Sequence, residues 1–271
     1  MDFKEKVVLI TGATGGIGSA IATQLSQEKC KLALIARKEN QLRTLTDTIQ
    51  KNNSNCIYKT CDNRQQHEVE EAVEYTENHF QKIDVAILTA GILTPNPIET
   101  FNSTIIKESL EINFFGTLYF IEALFPLMKR QQSGTIAALS TLPDRRGVAG
   151  WGAYGASKAA LSWLMESIRA EAKQKYNINM ITVKPGSVQT PMIKGYHRVG
   201  ALSPEKAAEY IINGIKKEKK IIQFPLSQVL MIRLTDLFPP FTYDALPLEL
   251  QKGEGYPEIK DNNSSQPSEK K

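Results

Sequence analysis

Tyr154 and Lys158 stand four positions apart in AYGASKAA, residues 153–160, a run of small residues with a helical pattern. Residues i and i+4 share a helix face, so the phenol and the ammonium project together. Reducing a ketone needs a proton donor to the oxygen as hydride reaches the carbon, and oxidising an alcohol needs the reverse. A free phenol, with a pKa of about 10, is a poor proton shuttle near neutrality. A neighbouring ammonium favours the phenolate and brings it toward the working range. The spacing also fits an ordinary surface pair, since Tyr and Lys are common, so the surrounding elements must decide.

Five short apolar runs rich in β-branched residues read as buried strands: KVVLI (6–10), KLALIA (31–36), DVAILTA (84–90), GTIAALS (134–140) and NMITVKP (179–185). Segments of helical length and pattern lie at 18–29, 39–52, 65–80, 103–130 and 154–176. Strands apolar on both faces, alternating with helices, predict an α/β fold: a doubly wound parallel sheet with helices on both faces. Such folds bind ligands beyond the carboxyl ends of their strands. Every chemical motif in the chain falls at such an end.

TGATGGIG, residues 11–18, follows the first run and opens the first helix. Gly12, Gly16 and Gly18 let the chain turn sharply and let phosphates approach free helix N–H groups. The spacing is GxxxGxG; Thr14 stands where the GxGxxG fingerprint needs a glycine, so that pattern fails. The second run ends in Ala36, Arg37 and Lys38, where an NAD enzyme would carry a ribose-binding carboxylate. Two cations there suit a 2′-phosphate instead and favour NADP(H) over NAD(H), although they also fit an ordinary charged surface. Asp62 in TCDNR follows a possible further short strand, and either contacts an adenine amino group or caps the next helix.

Composition narrows the partners. A chain of 271 residues with 41% hydrophobic residues can bury one sizeable core, and one domain is expected. The net charge of +4, with no basic tract interleaved with aromatics, argues against nucleic acid. Lys216, Lys217, Lys219 and Lys220 read as a solvated helix end. Cys30, Cys56 and Cys61 lack CxxC spacing and read as plain thiols in a reducing, cytoplasmic setting. His67 and His79 sit in a charged helical segment, and no HExxH or similar cluster implies a metal. A strand opens after only a few polar residues, so no signal peptide is expected, and no apolar run reads as long enough for a membrane span. Residues 224–241, FPLSQVLMIRLTDLFPPF, form the segment that could contact a membrane surface, with Arg233, Asp236 and the prolines suiting a peripheral helix and loop. Residues 251–271 are expected to be disordered.

Together, TGATGGIG, TAG (89–91), NFFG (113–116), LST (139–141), YGASK (154–158) and KPGSVQTP (184–191) resemble the short-chain dehydrogenase/reductase family, in order from about residue 6 to 225. The resemblance implies a single Rossmann-like domain over residues 1–250, NAD(P)-dependent exchange between alcohols and carbonyls, and a homodimer or homotetramer. It places Gly12, Thr14, Gly15, Gly16, Ile17, Gly18, Ala90 and Gly91 at the coenzyme and gives Lys158 the nicotinamide ribose as a second partner. Family members use a serine thirteen positions before the tyrosine. Here an ungapped count selects Thr141, and a one-residue slip selects Ser140. Asn113 matches an asparagine whose backbone carbonyl holds a water linked to the lysine.

The family's paired asparagines are replaced by Leu88 and Thr89, which puts the usual bracing of that strand in doubt. Pro185 and Gly186 would turn the chain across the nicotinamide, with the Val188 amide and Thr190 hydroxyl holding its carboxamide and phosphates. The small residues Gly155, Ala156, Ser157, Ala159 and Ala160 would leave room for that ring. Residues 192–202 read as a short lid with hinges at Gly195 and Gly200, and His197 within it as a possible substrate contact. Leu93, Leu142, Trp151, Val188, Met192, Ile193 and Tyr196 are the expected pocket for a small or moderately apolar carbonyl or alcohol substrate. The rival readings are a non-redox enzyme of the same fold and a catalytically silent NADP-sensing or scaffold protein.

Overall fold

The computed structural model describes residues 1–51, 55–190, 192 and 200–245. Its strands are β1 (Val7–Thr11), β2 (Lys31–Ala36), β3 (Cys56–Thr60), β4 (Val85–Leu88), β5 (Gly134–Leu139), β6 (Ile178–Pro185) and β7 (Ile221–Phe224). They pair in parallel in the order β3-β2-β1-β4-β5-β6-β7. The helices are α1 (Gly16–Leu25), α2 (Glu39–Gln50), α3 (Gln66–Phe80), α4 (Ser103–Leu110), α5 (Gly116–Gln131), α6 (Gly152–Tyr176), α7 (Pro204–Lys216), α8 (Leu226–Thr235) and α9 (Pro240–Asp244). The expected doubly wound sheet is present, with β3 and β7 added to the five strands read from the apolar runs.

Alternation along β1 shows why both faces are covered. Val8 and Ile10 pack with Ile21 and Leu25 of α1 and Ile211 and Ile215 of α7. Leu9, pointing the other way, packs with Phe120 and Leu124 of α5 and Leu161 and Met165 of α6. All five β1 residues are buried, and each large aliphatic side chain so buried contributes about 1.5–3 kcal/mol. The sheet order reverses at β1, which lies between β2 and β4, and the crevice beyond that switch point is where such sheets take ligands.

Residues 103–130, expected as one helix, contain an interruption. Asn102 caps the start by accepting from the Thr104 amide at 2.8 Å. Between α4 and α5 a π-helical turn covers Glu111–Phe115, with Asn113 buried at its centre. The joined Ser103–Gln131 helix is long and apolar enough to cross a membrane by length and composition, which corrects the expectation that no segment is. Phe120, Ile121, Leu124, Leu127 and Met128 of this helix are buried in the core against the sheet.

The lysines from 217 to 220 are exposed beyond α7, as expected of a solvated end. All three cysteines are buried and unpaired, with burial pushing each thiol up to about 12. Among the described residues no group of His, Cys, Asp and Glu could hold a metal. The tail 251–271 and lid residues 193–199, including Gly195, lie outside the described residues.

Candidate active site

A cavity of about 1020 Å³ opens beyond the carboxyl ends of the strands. The glycine turn forms one end. Gly12 has φ +61°, and a methyl group there would lie 2.8 Å from the Ala90 amide nitrogen. At Gly18 a methyl would lie 2.3 Å from the Gly12 carbonyl oxygen. The absence of side chains thus lets the turn, the first helix and the end of β4 close on one another. Gly12, Thr14, Gly15, Gly16, Ile17, Gly18, Ala90 and Gly91 all line the cavity. The bracing put in doubt by Leu88 and Thr89 is supplied by hydroxyls: Thr89 Oγ1 donates to the Thr11 carbonyl at 2.6 Å, and Thr11 Oγ1 accepts from the Thr89 and Ala90 amides.

Arg37 and Lys38 line the cavity with their side chains exposed. Asp62 is not among the lining residues, although its neighbours Cys61 and Asn63 are. Its carboxylate accepts from the Arg64 guanidinium and amide, and these bonds hold it below the usual carboxylate range. Nor does it cap α3, whose capping position is Gln65. A turn of its own occupies Asp62.

On the opposite wall, α6 brings Tyr154 and Lys158 to the cavity on one face. Lys158 is buried, its Nζ donates to the Leu139 carbonyl at 2.7 Å, and it lies 6.0 Å from the Tyr154 ring centre. Burial lowers the ammonium to a pKa of about 8. Gly91 admits Asn113, since a methyl there would sit 2.9 Å from Asn113 Oδ1. Of the small residues expected to make room, only Gly155 lines the cavity. Ser157 is buried and donates to the Tyr154 carbonyl at 2.8 Å, while Ala156 is exposed and Ala159 and Ala160 are outside the lining. The small residues of α6 therefore serve helix packing as much as the cavity.

The two candidate hydroxyls differ sharply. Ser140 Oγ is buried, donates to the Lys158 carbonyl at 2.9 Å and shares a 2.7 Å bond with Ser162 Oγ. Both residues line the cavity, and the Thr141 hydroxyl is uncommitted among the described residues. Asn113 is fully buried. Its side chain accepts from the Ile92 amide at 2.7 Å, donates to the Ile92 carbonyl at 3.0 Å and donates to Ser157 Oγ at 3.0 Å. Its backbone carbonyl accepts from Thr117 Oγ1 at 3.0 Å. Asn113 thus ties the end of β4 to α6 through its side chain, a task that the sequence did not reveal.

Pro185, Gly186, Val188 and Thr190 line the cavity after β6. Leu93, Trp151, Val188 and Met192 of the expected pocket do so too, whereas Leu142 is buried outside the lining. Ile193, Tyr196 and His197 lie outside the described residues. One whole wall was missed: Ser227, Gln228, Met231, Ile232 and Thr235 of α8, with Tyr243 of α9, face the cavity. The segment read as a possible membrane contact therefore closes the site on one side, while Leu226, Leu230 and Leu234 are exposed on the other. Gln228 interrupting the apolar run was the available signal.

The cavity fits a dinucleotide on its own terms. Its glycine turn places Gly12, Gly15, Gly16 and Gly18 at the start of α1, and no Asp or Glu is among its described lining residues, while Arg37, Lys38, Arg146 and Lys158 are.

A model of the short chain dehydrogenase family matches residues 6–198. An uncharacterized oxidoreductase of Listeria monocytogenes is 33% identical over 195 residues, 72% of this chain and 79% of its own. Another, from Staphylococcus epidermidis, is 30% identical over 192 residues, 71% of this chain and 82% of its own. Among solved structures, levodione reductase superposes with a TM-score of 0.77 at 22% identity, covering 84% of this chain and 99% of that one. Actinorhodin polyketide ketoreductase with NADPH gives 0.76 at 22% identity, covering 83% and 97%. With the parallel sheet, the glycine turn and the shared oxidoreductase relatives in agreement, the chain belongs to the short-chain dehydrogenase/reductase family of oxidoreductases.

Proposed function

We propose that the protein is an NADP(H)-dependent oxidoreductase that interconverts a moderately apolar ketone or aldehyde and its alcohol. The observation that carries this reading is the buried Lys158 ammonium beside the Tyr154 ring on the cavity wall. Bound NADP(H) supplies or accepts the hydride. Tyr154 exchanges the proton at the substrate oxygen, and the Lys158 cation favours negative charge on the phenol oxygen during that exchange. Thr141 donates a second hydrogen bond to the same oxygen, because its hydroxyl is uncommitted while that of Ser140 is spent inside the fold. Leu93, Trp151, Met192, Met231 and Ile232 offer the substrate an apolar surface.

Four basic residues and no acidic ones among the lining support a phosphate-rich coenzyme. Gly12, Gly16 and Gly18 would admit its pyrophosphate to the α1 N-terminus, and Arg37 and Lys38 its 2′-phosphate. The NADPH in the ketoreductase neighbour agrees with this choice. Arg37→Ala is expected to weaken NADPH about tenfold or more and NADH less than about threefold, as a lost charge-assisted pair would. Fluorescence titration of both coenzymes measures this; equal losses would overturn the NADP(H) assignment.

A further inference from the structure

The wall formed by α8 is attached in an unusual way. None of its ten residues is buried, and Leu226, Leu230, Met231 and Leu234 are exposed, so apolar packing holds it weakly. Polar contacts fasten both of its ends. In the first turn Gln228 Oε1 accepts from the Ser187 amide at 2.9 Å, and Gln228 Nε2 donates to the Gly200 carbonyl at 3.2 Å. Near the last turn Arg233 reaches Asp144 at 3.6 Å and Asp236 at 2.7 Å. The Asp144 side chain is 2% exposed, and its other oxygen lies 2.5 Å from Lys184.

Asp144 stands three residues after Thr141, and Lys184 immediately precedes Pro185. One buried carboxylate thus joins the hydroxyl-bearing loop, the proline-glycine turn and the α8 wall. We propose that Arg233 is a positioning residue: through Asp144 it latches α8 at the width that seats the substrate. Met231, Ile232 and Thr235 then become the side chains whose distance from Tyr154 the latch controls. The substrate part of this inference rests on the carbonyl-reductase reading; the mechanical part does not.

Removing Arg233 leaves Asp144 paired with Lys184, whereas Asp236, with a side chain 9% exposed, loses its 2.7 Å partner, so Arg233→Lys is the milder variant. Amide hydrogen exchange and NADPH-linked kinetics on the full chain test the latch. In Arg233→Met the amides of residues 226–235 are expected to exchange about tenfold faster, with those of β5 and β6 unchanged. With cyclohexanone and larger cyclic ketones as probes, KM should rise about tenfold while kcat and NADPH affinity stay within about threefold. Arg233→Lys keeps the charge but not the two-pronged reach, and should give α8 exchange about threefold faster than wild type. That variant decides the matter should the methionine protein not fold.

Wild-type exchange in α8 of either variant would overturn the latch, as would acceleration spread through the whole sheet. A KM that rises only in step with NADPH dissociation would overturn its role toward substrate. If the wild type oxidises no NADPH with any ketone, the reductase reading fails, and the exchange measurement still judges the latch.

Discussion

Tyr154→Phe is expected to lower kcat/KM for ketone reduction by about 10³-fold, with NADPH affinity changed less than about twofold. The phenyl ring preserves the packing of α6, so the loss isolates one hydroxyl. General acid catalysis by a positioned side chain is worth about 10²–10⁴-fold, and no other proton donor in the cavity lining stands paired with a buried cation. In the proposed mechanism Thr141 would retain a hydrogen bond to the substrate oxygen but hold its own proton far too tightly to release it, which would set a low residual rate rather than an alternative route. Steady-state kinetics beside coenzyme titration separates the two quantities. Full activity in this variant would remove Tyr154 from the chemistry.

Lys158→Met has the second largest expected effect, and it divides activity from stability. Activity should fall by about 10²-fold or more, since the variant loses the cation that favours negative charge on the phenol oxygen. Stability should respond to pH in a direction set by burial. Desolvation lowers the folded-state value to about 8 from an ordinary 10.5. Below pH 8 the amine is charged in both states, and folding bears the whole desolvation cost.

Between about 8 and 10.5 the unfolded chain binds the extra proton, so stability rises with pH through this window. Above it the amine is neutral in both states and the cost is gone. Relative to Lys158→Met, the wild type should therefore gain about 3 kcal/mol between pH 7 and 10.5. Urea denaturation of both proteins at the two pH values measures the difference. A gap that stays constant would mean that Lys158 is not held in a desolvated site.

Most of the sheet was legible because strands covered on both faces must be largely apolar, as β1, β2, β4 and β5 are, and β6 still carries an apolar run despite Asn179 and Lys184. β7 was hidden for a local reason: its four residues follow exposed lysines and precede Pro225, so the run is too short to stand out. β3 was half visible, since four of its five residues are only partly buried. The π turn at Glu111–Phe115 left no trace in the periodicity, because adding one residue to an already apolar helix does not interrupt its pattern.

Counting positions left Ser140 and Thr141 side by side. Only the third dimension separates them: both line the cavity, but the Ser140 hydroxyl is bonded to Ser162 and the Lys158 carbonyl on α6. The cavity-facing side of α8 was missed for a related reason. Its apolar residues lie on both sides, so no periodicity marks an inner face, and its anchors Asp144 and Lys184 are far away in sequence. Long-range ion pairing carries no local signature. Tyr154, Lys158 and the glycine turn were legible because their chemistry depends on fixed short spacings that any helix or tight turn must reproduce.

Hydride exchange with a carbonyl carbon at the Tyr154 end of the cavity is the central step of the proposed function. Wild-type protein incubated with a ketone and NADPH deuterated at nicotinamide C4, on each face in turn, measures that exchange by mass spectrometry of the product alcohol. Deuterium on the carbinol carbon from one face alone, matched mole for mole by coenzyme oxidation, is the expected result. Across a broad panel of ketones and aldehydes, coenzyme left unoxidised, or an alcohol free of deuterium from both faces, would contradict it.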